Sequence, residues 1–295
     1  MKKNIVITVL LAVVVGSASG FIFGGRKMAP MGAQLSVQDI REHGLAIIGP
    51  GDTSFDGMLN GMRENMSGIP LDAIRPYTVF IKNMGRRTVV AFILKWELVR
   101  PDGKAITRTD QYVTKYSLMG DGVSDSEGHA IKSDTAWLAF PGFAAAQDTF
   151  ISDNGGPKVA AYFDSMSSTL AQFSKVNVSL DGAFFEDGAF VGPDTTGFYG
   201  KVEALIRANQ DLRDELETRR KSGKSADDVF THVTEEASKP KVRLGRNSTA
   251  DDYYNHFKRL AAKELLEMRD VSGNEKTLEH ALRPSKQPRP VLRKE

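Results

Sequence analysis

The stretch from Val176 to Gly200, VNVSLDGAFFEDGAFVGPDTTGFYG, constrains the fold more than any other, because the period of the sequence changes inside it. Val176, Val178 and Leu180 alternate with polar residues, the two-residue repeat of a strand. Asp181-Gly182 and Asp187-Gly188 then bracket Ala183-Phe184-Phe185-Glu186, which is the chemistry of successive tight turns between short strands. After Gly192-Pro193 the spacing lengthens. Phe198, Val202, Leu205, Asn209, Leu212 and Leu216 recur at steps of three and four, one stripe of a helix. A strand-rich part is expected to hand over to a helical part here. The Asp and Gly residues do not make a calcium loop, since neither Asp181 to Gly188 nor Asp121 to Gly128 supplies alternate oxygen ligands in the required order.

Upstream, the two-residue repeat dominates. Tyr77, Val79 and Ile81 alternate, a turn follows at Asn83-Met84-Gly85-Arg86, and Val90, Phe92, Leu94, Trp96 and Leu98 share one face of a long strand. Pro101-Asp102-Gly103-Lys104 is a turn, and Ile106 to Leu118 is another extended run, with Tyr112, Tyr116 and Leu118 on one face. Ala136 to Phe140 and Thr149 to Ile151 are shorter strands separated by Pro141-Gly142. Lys158 to Phe173 fits either a strand, through Val159, Ala161 and Phe163, or a helix, through Phe163, Met166, Leu170 and Phe173.

Past Gly200 three helices are expected. They run from about Phe198 to Arg220, from Ala226 to Ser238, and from the cap-like Ser248-Thr249 to about Arg269. Tyr253, Phe257, Leu260, Ala261, Leu265 and Met268 form the buried stripe of the third. The expected class is therefore α+β: an antiparallel β-sandwich over 71–197, followed by a helical region of about three helices over 198–270. The strand spacing resembles an immunoglobulin-like pattern without its Cys pair, so the resemblance implies no function. Residues 26–70 are a Gly- and Met-rich irregular segment in which Ser36 to Gly44 is a candidate helix, and Phe55, Met58, Leu59 and Met62 share a helical face. Residues 271–295 end in the Pro-rich basic run PSKQPRPVLRKE and are expected to be disordered.

The N-terminus bears on location. Lys2 and Lys3, the apolar run Ile5 to Val15 and the small residues Gly16 to Gly20 follow the order of a secretory signal. The apolar character continues to Gly25, so the segment 4–25 also satisfies the ~20 residues that a membrane-spanning helix needs. Gly16, Gly20 and Gly24 give it the small-residue spacing of close helix pairs. Cleaved signal peptide and uncleaved signal anchor both remain open, and both place the protein outside the cytoplasm, periplasmic or secreted, or held at the inner membrane. The 39 basic residues balance 37 acidic ones, so no overall field favours nucleic acid. The absence of cysteine excludes disulfides, thiol catalysis and a lipoprotein anchor.

Motifs that carry chemistry are incomplete. Gly49-Pro50-Gly51-Asp52-Thr53-Ser54 after Leu45-Ala46-Ile47-Ile48 has Ser54 where a dinucleotide-binding turn has its third glycine. Gly223-Lys224-Ser225 has Thr218 in place of the leading glycine of a phosphate loop, and Pro240 disrupts the Ser238-Lys239-Pro240-Lys241 spacing. His232 with Glu235 and Glu236 is half of a zinc-helix motif, and His232 and His256 read as helix-surface residues. No catalytic, cofactor-binding or metal-ligating residue is assigned, and no cofactor is expected. The expected function is that of an exported cell-envelope protein, a non-enzymatic binding or structural module with a protein partner in the envelope or a capacity for self-association. The alternative is an exported hydrolase that gathers carboxylates, such as Asp125 with Glu127 or Glu186 with Asp187, from separated loops.

Overall fold

A computed structural model describes residues 34–65, 71–114, 118, 130–142, 157–245, 248–284 and 290–295. The N-terminal segment, the Asp121 to Gly128 stretch, Tyr116 and the Thr149 to Ile151 strand all lie outside the described residues.

The fold is mixed α+β, with antiparallel-rich sheets. Nine strands can be delimited among the described residues: β1 (Gln34–Gln38), β2 (Leu45–Ile48), β3 (Val79–Asn83), β4 (Val89–Val99), β5 (Ala105–Val113), β6 (Ala136–Ala139), β7 (Lys175–Phe185), β8 (Ala189–Val191) and β9 (Arg293–Lys294). They form a larger sheet in the order β5-β4-β7-β8-β9, with β1 also on β7, and a smaller one in the order β2-β3-β6. The larger sheet is antiparallel through β8, but β1 on β7 and β9 on β8 run parallel. Seven α-helices can likewise be delimited: α1 (Phe55–Asn65), α2 (Leu71–Ile74), α3 (Pro157–Leu170), α4 (Phe198–Lys221), α5 (Ala226–Ser238), α6 (Ala250–Ser272) and α7 (Asn274–Ala281). The expected count of about three is therefore too small. Among the described residues three helices precede the handover, and the C-terminal region has four.

One apolar core joins the two sheets. Phe92, Leu94, Trp96 and Leu98 of β4 and Val176, Val178 and Leu180 of β7 share it with Ile47, Phe80, Ile81 and Leu138 of the small sheet. Phe55 and Leu59 of α1 and Phe163 and Leu170 of α3 belong to the same cluster, so the ambiguous Lys158 to Phe173 stretch is settled as a helix. Trp96 is fully buried in it, as a large aromatic on the apolar face of a strand should be.

Two β-bulges govern which side chains face which layer. Asp181 is the extra residue on β7 between the pairs Ile93↔Gly182 and Leu94↔Leu180, and Val90 is the extra residue on β4. A bulge reverses the alternation beyond it. Val90 therefore leaves the face of Phe92 and Trp96 and packs with Phe184, Phe190 and Phe198 on the opposite face. Asp181-Gly182 is thus not the turn that its Asp-Gly chemistry had suggested; β7 continues through it. Asp187-Gly188 is a turn, with Gly188 at φ +84°. The bulge demands glycine twice. A Cβ on Gly182 would lie 2.3 Å from Phe190 Cζ, and one on Gly192 would lie 2.8 Å from Gly182 Cα.

Two further expectations are corrected. Ser36 lies in β1, whose backbone pairs with β7, and only Arg41–His43 forms a single 3-10 turn before Gly44 at φ +80°. Open pairing positions beside β7 outweigh a capped helix too short to hold itself. The tail from residue 271 is helical through Ala281, and residues 290–295 return to the larger sheet, where β9 pairs with β8.

Helix α4 is the spine of the molecule, 24 residues or about 36 Å long. Phe198, Val202 and Ile206 dock it on the sheet, Ala204, Leu205 and Ala208 meet Tyr253 and Phe257 of α6, and Leu212 and Leu216 join a cluster with α5, α6 and α7. Capping boxes start α5, at Ser225 with Asp228, and α6, at Thr249 with Asp252.

Candidate functional site

Two polar assemblies stand out from this frame, one between the helices and one at the sheet edge. Between α4, α5 and α6, Glu215 accepts from Lys258 Nζ at 2.6 Å through one oxygen and lies 3.0 Å from His232 Nε2 through the other. Glu236 Oε2 lies 4.0 Å from the same Lys258 and also pairs with Lys239. Tyr254 donates to Asp211 at 2.8 Å. Burial alone would raise the Glu215 carboxyl, but the bonds from Lys258 and His232 outweigh it and hold the group below the usual range. Burial would lower the Lys258 ammonium, and Glu215 reverses that, so its pKa is raised. Beside the cluster, Asp211, Asp214, Glu215, Thr218 and Arg219 line an open groove of about 560 Å³.

This network is internally paired. Each carboxylate of Glu215 and Glu236 meets a cation, so the cluster pins three helices together rather than presenting an unsatisfied charge. His232, read as a surface residue, is instead a half-buried member of it. His256 is also part-buried, and burial lowers its pKa. Asn209, in the stripe of α4, donates to Leu205 O within its own helix. No group of three or more His, Cys, Asp or Glu residues able to hold a metal occurs among the described residues.

The sheet-edge assembly begins with the bulge. Asp181 is 1% exposed, and its carboxylate accepts four hydrogen bonds, from the backbone N–H and hydroxyl of Thr195 and of Thr196, at 2.6–3.0 Å. Burial alone would raise this carboxyl; the four donors overcome that and lower it. The bulge thereby fixes the loop that leads into α4. Asp194, at φ +54°, accepts from Tyr199 N in the first turn of α4 at 3.0 Å and receives Lys294 Nζ at 2.8 Å.

Residues 290–295 lie along this edge as an added strand. Arg293 N donates to Gly188 O and Glu295 N to Phe190 O, at 3.1 and 2.9 Å. Arg293 pairs with Asp187 at 2.7 Å, Lys294 with Asp194, and Glu295 with Arg87 at 3.0 Å. Lys294 Nζ sits 4.9 Å from the Tyr199 ring centroid, and Arg87 covers the ring of Phe185 at 3.9 Å. Leu292 packs at the rim of the apolar cluster beneath. Arg293 holds Asp187 below the usual carboxylate range against a burial effect that would raise it, and Asp194 raises the Lys294 ammonium.

The carboxylates singled out in the sequence separate. Asp125 and Glu127 lie outside the described residues; Glu186 reaches the backbone of Thr88 at 3.4 Å, and Asp187 is taken up by Arg293 and Arg87. The glycine turn before Ser54 is closed by Asp52, which accepts from the N–H and hydroxyl of Ser54. Ser225 of the partial phosphate loop caps α5, and Ser238 of the Ser-x-x-Lys spacing donates to Thr234 O at the end of that helix. Sequence reasoning missed Asp181, Glu215, Lys258 and the strap formed by residues 290–295, because each acts on a partner well separated in the chain. Comparison of the chain with family models, with curated proteins and with solved structures finds no match.

Proposed function

We propose that the chain is an exported cell-envelope protein, periplasmic or secreted or held at the inner membrane by residues 4–25, and that it acts as a non-enzymatic binding or structural module. The observation that carries the binding reading is the β8 edge. Extended segments bind sheet edges through main-chain hydrogen bonds, with side-chain contacts setting the sequence preference. Residues 290–295 occupy the edge in that manner, with an apolar residue at 292, two cations at 293 and 294 and a carboxylate at 295. What supports describing the two sheets as a sandwich is the core they share.

The edge reading is tested with a labelled peptide spanning Pro290 to Glu295 and the full-length R293E/K294E chain, whose own strap is repelled by Asp187 and Asp194. Saturable binding of the native peptide, and none of a peptide with both cations reversed, is expected. No binding of either would sink the edge as a segment-accepting site. Fractionation with N-terminal sequencing tests the location: recovery of the chain in the cytosol with Met1 intact would overturn export. Cleavage of glycans or esters by the purified protein, with no partner recovered from envelope extracts, would overturn the non-enzymatic reading.

A further inference from the structure

We infer that the segment taken up by the β8 edge is the 290–295 strap of a second copy of this chain, exchanged reciprocally so that two copies hold one another. This rests on the proposed segment-accepting role of that edge. The complementarity on the page is between parts of one sequence, so every copy carries both the seat and its matching segment. Asp187, Asp194 and Arg87 present minus, minus, plus to the plus, plus, minus of Arg293, Lys294 and Glu295.

The seat and the strap are unequally secured. Ala189, Phe190 and Val191 are buried, and Phe190 is packed edge-to-face with Tyr199 and against Phe184. Gly188 admits the strap closely, since a Cβ there would lie 2.5 Å from Val291 O. The strap pairs through only two residues, and the side chains of Arg293, Lys294 and Glu295 are 47%, 56% and 35% exposed. Exposed pairs of this kind hold weakly, so the strap opens locally while the seat stays formed.

The sequence between the last helix and the strap is compatible with either seating. Between Pro284 and Pro290 the sequence PSKQPRP contains three prolines in seven residues, and Pro-rich sequence favours an extended course. Exchange of an identical terminal element between copies is a low-cost route to a dimer. The exchanged contacts involve the same atoms as those within one chain. Exchange is therefore opposed mainly by the entropy of association, and it grows with protein concentration.

Charge reversal isolates the exchange. The R293D chain sets two acidic side chains against each other at positions 187 and 293, and the D187R chain sets two basic ones there, so each repels its own strap and that of an identical copy. In an exchanged pair of the two variants every seat joins opposite charges again. Native Asp187 of the first variant meets native Arg293 of the second, and the introduced arginine meets the introduced aspartate. Light scattering on the full chains is expected to give concentration-dependent dimers for the native protein, single chains for each variant alone, and about twice the single-chain mass for their equimolar mixture. Single chains in the native sample and in the mixture at every concentration would overturn the inference. If the Pro290 to Glu295 peptide still bound the R293E/K294E chain, the edge would stand as a site for another protein's segment. Failure of peptide and mixture together would remove both readings.

Discussion

The two halves of this molecule are held by different kinds of interaction. Between the sheets the contacts are almost wholly apolar, with Trp96, Phe80, Phe92 and Phe163 completely buried around β4 and β7. Between the C-terminal helices the apolar contacts are smaller, mostly Ala, Val and Leu, and a charged network of Glu215, Lys258, His232 and Glu236 sits among them. Apolar burial has no charge to screen or titrate, whereas an ion-paired network is weakened by screening and by titration of its members. The sheet half should therefore fail mainly by loss of volume, and the helical half mainly by loss of charge balance. Both tryptophans, Trp96 and Trp137, lie in the sheet half, so tryptophan fluorescence follows one half and helical circular dichroism weights the other.

Truncating the sheet core has the largest expected effect. W96A should cost about 3–5 kcal/mol in denaturant unfolding, the range for emptying a buried aromatic site; a loss below about 1 kcal/mol would mean the core is loosely packed there. D181A comes next, at about 2–3 kcal/mol, because it strands four donors of Thr195 and Thr196 beneath the start of α4. In the helical half K258M is expected to cost about 1–2 kcal/mol, less than a fully buried pair because Glu215 is 38% exposed. T249A removes the N-cap of α6 for about 1 kcal/mol. Equal responses of W96A and K258M to added salt would break the comparison.

Titration sharpens it further. Asp181 and Glu215 both titrate below the ordinary carboxyl range. Their contributions are complete above about pH 4 and disappear as pH falls through the lowered folded values. Lys258 is raised, so its contribution is complete below about pH 10 and is lost as pH climbs through its folded value. His256 is lowered, so the folded state resists its protonation and stability declines as pH drops through about 6.5. Helical circular dichroism should thus show losses on both the acid and the alkaline side, with the alkaline loss absent in K258M. Over the same alkaline range tryptophan fluorescence should change least.

What was legible in the chain follows the range of the interaction. The stripe Phe198, Val202, Leu205, Leu212 and Leu216, the extent of α5 from Ala226 to Ser238 and the Thr249 cap are set by neighbours within a turn or two, and each could be read directly. The Ser225 and Asp228 capping box was equally readable from its spacing. Asp181 was misread because Asp-Gly carries the same local signal in a turn and in a bulge. Only its bonds to Thr195 and Thr196, and the approach of Phe190 to Gly182, distinguish them. The ordered strap was misread for a related reason: a Pro-rich basic segment has no local structure, and its order comes from Asp187, Asp194 and the β8 edge, about 100 residues upstream.

By itself, then, the sequence determined the change of period after Gly192-Pro193, the long central strand carrying Trp96, the α+β class and the principal C-terminal helices. These depend on hydrophobic periodicity and capping, which act over a few residues. Tertiary structure decided the bulges at Val90 and Asp181, the parallel pairing of β1 with β7 and of β9 with β8, the Glu215 and Lys258 pairing and the seat of the strap. Each of these satisfies a backbone edge or a buried charge with a group distant in sequence, and only the folded chain brings the two within hydrogen-bonding distance.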